Sequence, residues 1–106
     1  MKTAIAAAAL AAGLTLAGNA AAFECPAHFA EAQSAIDAAT EAMNAMPDEA
    51  DKGLVHSLID DAKMWLESAH HNHEKPAAGK FDHARSIAKA HAAQGYAMSA
   101  GMMAKR

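Results

Sequence analysis

Residues 47–76 read PDEADKGLVHSLIDDAKMWLESAHHNHEKP, and the reading of this stretch decides the fold. Leu54, Val55, Leu58, Ile59, Ala62, Trp65, Leu66 and Ala69 recur at three- and four-residue intervals, the spacing that lines one face of an α-helix. Asp48 stands where an N-cap belongs, and Glu49 and Asp51 put negative charge in the first turn, where the helix dipole favours it. Pro76 biases the preceding residue away from helical geometry. A helix is therefore predicted at about 49–74.

Working outward, Cys25-Pro26 sets a proline at a first helical position, where its missing N–H costs nothing. Phe29, Ala32, Ile36, Ala39, Met43 and Met46 continue at helical spacing, and Pro47 stops them, giving a helix at about 26–46. On the other side, Ala77-Ala78-Gly79 reads as a linker. A third helix at about 80–103 carries Phe81, Ala84, Ile87, Ala88, His91, Met98 and Met102 on its inward side, with Gly95 and Gly101 weakening its last third. No stretch alternates with period two, so strands are not expected. Short connections make successive helices antiparallel, so the expected fold is all-α, an up-down-up antiparallel three-helix bundle. From Phe23 to Asp51 there are seven acids and no Lys or Arg; from Lys75 to Arg106 there are six basic residues and one acid. The first and third helices should therefore attract each other modestly.

The chain has 106 residues, enough for one domain, and its 53% hydrophobic content is mostly alanine. Little bulky side-chain volume is on hand to build a deep substrate pocket. No Ser-His-Asp set, phosphate loop or pair of catalytic carboxylates stands out, and the expectation is a protein that is not an enzyme. The net charge of −3 excludes a polycation built for nucleic acid. Met1-Lys2-Thr3, an apolar run from Ala4 to Ala17 and the ending Ala20-Ala21-Ala22 follow the pattern of a cleaved secretory signal. The run is too short for a membrane span, and Ala22-Phe23-Glu24 lacks the small residues that a lipid anchor on Cys25 needs. Residues 1–22 are thus read as a signal peptide, and 23–106 as a helical domain exported to a bacterial periplasm.

Seven His, seven Met and one Cys are the distinctive residues, well above ordinary usage for His and Met. Turns centred near Pro47 and Pro76 set Cys25, His70 and His83 at one level, with His28, Glu67, His71 and His73 within about a turn. Imidazole, thiolate and carboxylate gathered from three helices form the donor set of a metal site for copper, or for zinc, nickel or cobalt. Met43, Met46, His56, Met98 and Met102 gather at the opposite end, where they either make a second, soft site or pack as core filler. His91 reads as a packed, hydrogen-bonded histidine. A single cysteine cannot close an internal disulfide, so Cys25 is free, ligates a metal or bridges two chains; a homodimer through Cys25 or through a helix face is compatible with the sequence.

The stretches Ala69-His70-His71-Asn72-His73-Glu74-Lys75 and Phe81-Asp82-His83-Ala84-Arg85-Ser86-Ile87-Ala88-Lys89-Ala90-His91-Ala92 resemble the small periplasmic His-rich metal-binding proteins of nitrifying bacteria, which are short, exported, alanine-rich helical bundles. The resemblance implies binding of several divalent metals, copper especially, as a buffer or scavenger. The chain departs from that type in lacking its heptad of His through four helices and in carrying Cys25 and many Met. Cys25-Pro26-Ala27-His28 is not the C-x-x-C-H of a c-type haem protein. A small b-type haem protein using His91 and a Met remains an alternative, as does a chaperone-like or structural periplasmic helical protein, although the Leu-Thr-x-x-Gln motif of the envelope-stress chaperones is absent. The leading expectation is a periplasmic protein that buffers or carries copper by coordination alone. Because protonated imidazole cannot ligate, binding should weaken in acid. Expressed with its own N-terminus in an exporting bacterial host, the chain should be recovered from the periplasm starting at Phe23, within two or three residues, as read by intact mass and N-terminal sequencing.

Overall fold

A computed structural model describes residues 25–106; residues 1–24, and with them the expected signal segment, lie outside the described residues. Three helices follow one another, α1 (Cys25–Asn44), α2 (Glu49–Glu74) and α3 (Lys80–Ala104), joined by residues 45–48 and 75–79. The bundle runs up, down and up as expected. α1 ends at Asn44, short of the expected 46, because Ala45 and Met46 leave the helix through tight bonds to the Ala42 and Met43 carbonyls. α3 runs unbroken past Gly95 and Gly101 to Ala104. Among the described residues, no helix is long and apolar enough to cross a membrane.

Each helix presents a seam at three- and four-residue steps. α1 buries Cys25, Phe29, Ala32, Ile36, Ala39 and Met43, and α2 buries Val55, Ile59, Ala62, Leu66 and Ala69. α3 buries Asp82, Ser86, Ala90, Ala93, Ala97 and Ala100. This spacing interdigitates in the manner of a coiled coil. The bulk is uneven: α1 and α2 supply Phe29, Ile36, Ile59 and Leu66, whereas α3 supplies chiefly alanine. Small side chains on α3 let its neighbours approach closely. A Cβ built on Gly101 would meet the Ala39 Cα at 3.9 Å. α3 packs along both other helices, more extensively than α1 and α2 pack on each other.

Several positions expected to face inward do not. Leu54 and Phe81 are each 70% exposed, and Met98 and Met102 are also exposed. The inward side of α3 is rotated toward its alanines, leaving its larger residues on the flanks. His91 is exposed as well. The ion pairs seen among the described residues do not realise the expected charge attraction between α1 and α3. Among the described residues, His28–Glu31, Lys52–Glu49 and His56–Asp60 all fall within a single helix.

Hydrogen bonds join α2 and α3 instead. Ser86 Oγ donates to the Ala69 carbonyl at 2.7 Å in the buried seam. Lys89 Nζ donates to Ser68 Oγ and to Asn72 Oδ1, at 2.7 and 2.6 Å. Asn72 Nδ2 donates to Asp82 Oδ1 at 3.1 Å. The other Asp82 oxygen accepts from the Ala78 N–H at 2.6 Å. This last bond, chiefly, and the Asn72 amide hold the Asp82 carboxyl below its ordinary range against the opposing effect of burial. The turn itself needs Gly79, whose φ of 60° and ψ of −124° suit a residue without Cβ. The start of α2 is fixed differently: Asp48 Oδ1 caps it, accepting from the Ala50 and Asp51 N–H groups at 2.8 and 3.0 Å.

Ala93 is fully buried on the inner face of α3. Ala93→Leu adds volume that the seam has no room for and should cost about 1–3 kcal/mol in urea unfolding, with a lower Tm. An unchanged midpoint would mean that the helices are not held close along this seam.

Candidate metal centre

Three helix ends converge at one pole of the bundle. Cys25 opens α1 and is fully buried. His73 lies in the last turn of α2, and His83 in the first turn of α3. The Cys25 Sγ and one ring nitrogen from each histidine all lie within 4.8 Å of one another. Donor atoms bound to one ion at about 2.0–2.3 Å sit roughly 3.3–3.8 Å apart. Small side-chain rotations therefore separate this arrangement from a coordination triad.

The local structure explains the placement. Cys25 is the first seam position of α1, four residues before Phe29. His73 lies four residues beyond Ala69 and so continues the α2 seam past its last alanine. His83 follows Asp82, whose carboxylate is tied to Ala78 and Asn72, so the turn that carries His83 is braced against α2. Phe29 walls the site, its ring centroid 5.5 Å from that of His73, and the His73 and His83 rings stand 5.7 Å apart at 68°.

Two polar atoms here lack partners. His73 Nδ1 and His83 Nδ1 are both buried and make no hydrogen bond. A buried nitrogen left unpaired costs about 1–3 kcal/mol, and each of the two histidines of this cluster carries one. The thiol contacts the His83 carbonyl at 3.8 Å, a long and weak interaction. It would give up its proton to become a ligand.

Of the residues proposed from the sequence for this pole, Cys25, His73 and His83 come together, whereas His28, His70, His71 and Glu67 stand outside the triad. His70 is exposed and its ring lies against that of Phe29, centroids 4.1 Å apart and planes tilted by 46°. Glu67 is exposed beside it, along a shallow groove with Gln33 and Lys63. His71 is exposed. His28 pairs across the α1–α3 seam with His91, Nδ1 to Nε2 at 3.1 Å. His91 is thus hydrogen-bonded as expected, but on the surface. The signal that separates His73 from His70 is the 55-59-62-66-69 progression, whose next step is 73.

The opposite pole does not gather its thioethers. Met43 and His56 border a groove with Glu49 and Lys52; Met46 lines a second with Leu54, Leu58 and Met103; Met98 and Met102 lie along a third, between α1 and α3. Met43 is buried in the core, and His56 Nδ1 lies 3.2 Å from Asp60. The buried position of Cys25 also means that a Cys25 bridge to a second chain would require the start of α1 to move.

The chain matches no family model, no curated protein and no solved structure.

The unpaired nitrogens set an expectation for the metal-free protein. With chelator present, His73→Leu should be within about 1 kcal/mol of the parent in urea unfolding, or more stable, since it removes a buried atom that lacks a partner. A loss of several kcal/mol would show that His73 is already satisfied in the metal-free protein.

Proposed function

We propose that this chain is an exported metal-binding protein that buffers or carries copper at the Cys25, His73 and His83 pole. The observation that supports the reading is the convergence of one thiol and two imidazoles from three different helices, both imidazoles with a buried, unpartnered nitrogen. One thiolate with two imidazoles suits both copper oxidation states, sulfur favouring Cu(I) and nitrogen favouring Cu(II). Zinc is the runner-up, because the same three donors with one open position also satisfy a tetrahedral ion.

The three residues act as follows. Cys25 loses its proton and supplies the anionic ligand. His73 and His83 ligate in their neutral form, so protons compete with the metal. Phe29 shields one side, while the half-buried rings of the two histidines leave a route for an ion to enter and leave. Holding and releasing an ion requires no turnover, and the chain acts as a carrier or buffer with no reaction of its own. A b-type haem held by His91 and a Met would have to break the contact of His91 Nε2 with His28 Nδ1, 3.1 Å long.

Anaerobic titration of the chain with Cu(I), Cu(II), Zn(II), Ni(II) and Co(II) tests the reading. Cu(II) should produce a thiolate-to-copper charge-transfer band that Cys25→Ser abolishes and His83→Ala weakens, and copper should displace zinc in competition. Copper at a hundredfold excess over its Kd should raise the unfolding free energy by about 2.7 kcal/mol. Binding of zinc without copper would replace copper by zinc in the assignment. No binding of any of these ions at micromolar concentration would refute it.

A further inference from the structure

His28 and His91 form a second histidine cluster that the Cys25 pole does not use. His28 lies on α1 and His91 on α3, and their rings meet edge to face at 84° with centroids 4.6 Å apart. His28 Nδ1 and His91 Nε2 are 3.1 Å apart. Adjacent nitrogens on one ion, each at about 2.0–2.1 Å, are separated by roughly 2.8–3.4 Å. The pair therefore already has the spacing of two neighbouring ligands. A carboxylate stands beside it: Glu31 Oε2 is 4.0 Å from His28 Nδ1, and the Glu31 side chain is 60% exposed and free to turn. His91 is exposed and His28 partly so, which leaves water access to the remaining coordination positions.

We propose that His28 and His91, with Glu31 beside them, form a second and solvent-facing site for a divalent cation of the imidazole-binding class, Cu(II), Ni(II) or Zn(II), across the α1–α3 seam. In the metal-free protein the two nitrogens share one proton, one ring donating and the other accepting. On binding, the ion takes the place of that proton. Both rings stay neutral by carrying their single hydrogen on the far nitrogen, Nε2 of His28 and Nδ1 of His91, so no net proton is released from two neutral rings. Two nitrogens, one carboxylate and water make an open site, weaker than the thiolate pole and without its sulfur signature. Ions that prefer nitrogen and oxygen to sulfur should favour it. The site does not depend on the Cys25 assignment, since none of its donors belongs to that triad.

Titrating Cu(II) into the double variant Cys25→Ser/His73→Leu, which lacks the thiolate pole, isolates the second site. This variant should still bind one equivalent, with an electron paramagnetic resonance spectrum showing coordinated imidazole nitrogen and no charge-transfer band. Adding His91→Ala should weaken that equivalent at least tenfold, and Glu31→Gln should weaken it by a smaller factor. Conversely, His91→Ala alone should remove one equivalent from the parent protein and leave the thiolate band in place. Circular dichroism of each variant reports that the helices persist; His91 is at the surface, so His91→Ala removes no core contact. An equivalent unaffected by His91→Ala, or no equivalent in the double variant, overturns the second site. Loss of the thiolate band alone bears only on the Cys25 pole.

Discussion

The near approach of α3 to its two neighbours is the constraint on which the rest of the molecule depends. Ala90, Ala93, Ala97 and Ala100 line the inner face of α3 and contribute almost nothing to side-chain bulk. Ile36, Ile59, Leu66 and Phe29, projecting from the other helices, fill the space that those alanines leave. A bundle built this way brings backbones close, and it therefore also brings together whatever side chains stand at its ends. One thiol and two imidazoles can meet at the pole because short side chains from three helices need only a short span to reach one another. The core of this protein is modest in apolar content, and its geometry matters more than its bulk.

The polar joints complete that geometry. Ser86 on the Ala69 carbonyl, Lys89 on Ser68 and Asn72, and Asn72 on Asp82 all link α2 to α3, on the side nearest the Cys25 pole. They fix the relative rotation and height of the two helices that carry His73 and His83. α1 is held mainly by apolar packing; among the described residues the His28–His91 contact and the long contact of the Cys25 thiol with the His83 carbonyl are polar links to α3. The molecule thus consists of a hydrogen-bonded helical hairpin with a third helix laid along it.

Most of the fold was legible in the sequence. The Leu54 to Ala69 periodicity, the cap at Asp48 and the stops at Pro47 and Pro76 are local features, and local features fix helix limits to within a residue or two. Height along the bundle was also legible, because turn positions set it. Rotation about each helix axis was less so. His70 and His73 lie on neighbouring turns of α2, and composition gives no reason to prefer either; only the strict seam progression singles out 73. On α3, the larger residues Phe81, Met98 and Met102 looked like the buried face, yet alanine took that place because the facing helices already supply the bulk. The pairing of His28 with His91 joins helices whose charges had suggested attraction through acids and bases, and a single sequence carries no mark of it.

The order of Cys25, His73 and His83 along the chain has a consequence for how the molecule is tied together. His73 and His83 flank one short turn, whereas Cys25 and His83 stand 58 positions apart. A lone cysteine cannot staple its own chain by oxidation. An ion gripped by all three donors would do the work of such a staple, closing a long loop and fastening α1 to the hairpin, with the entropic advantage that long loop closure brings to the folded state. Unlike a disulfide, this link would answer to the concentration of free metal, so that the tightness of the bundle would become a measure of the metal around it.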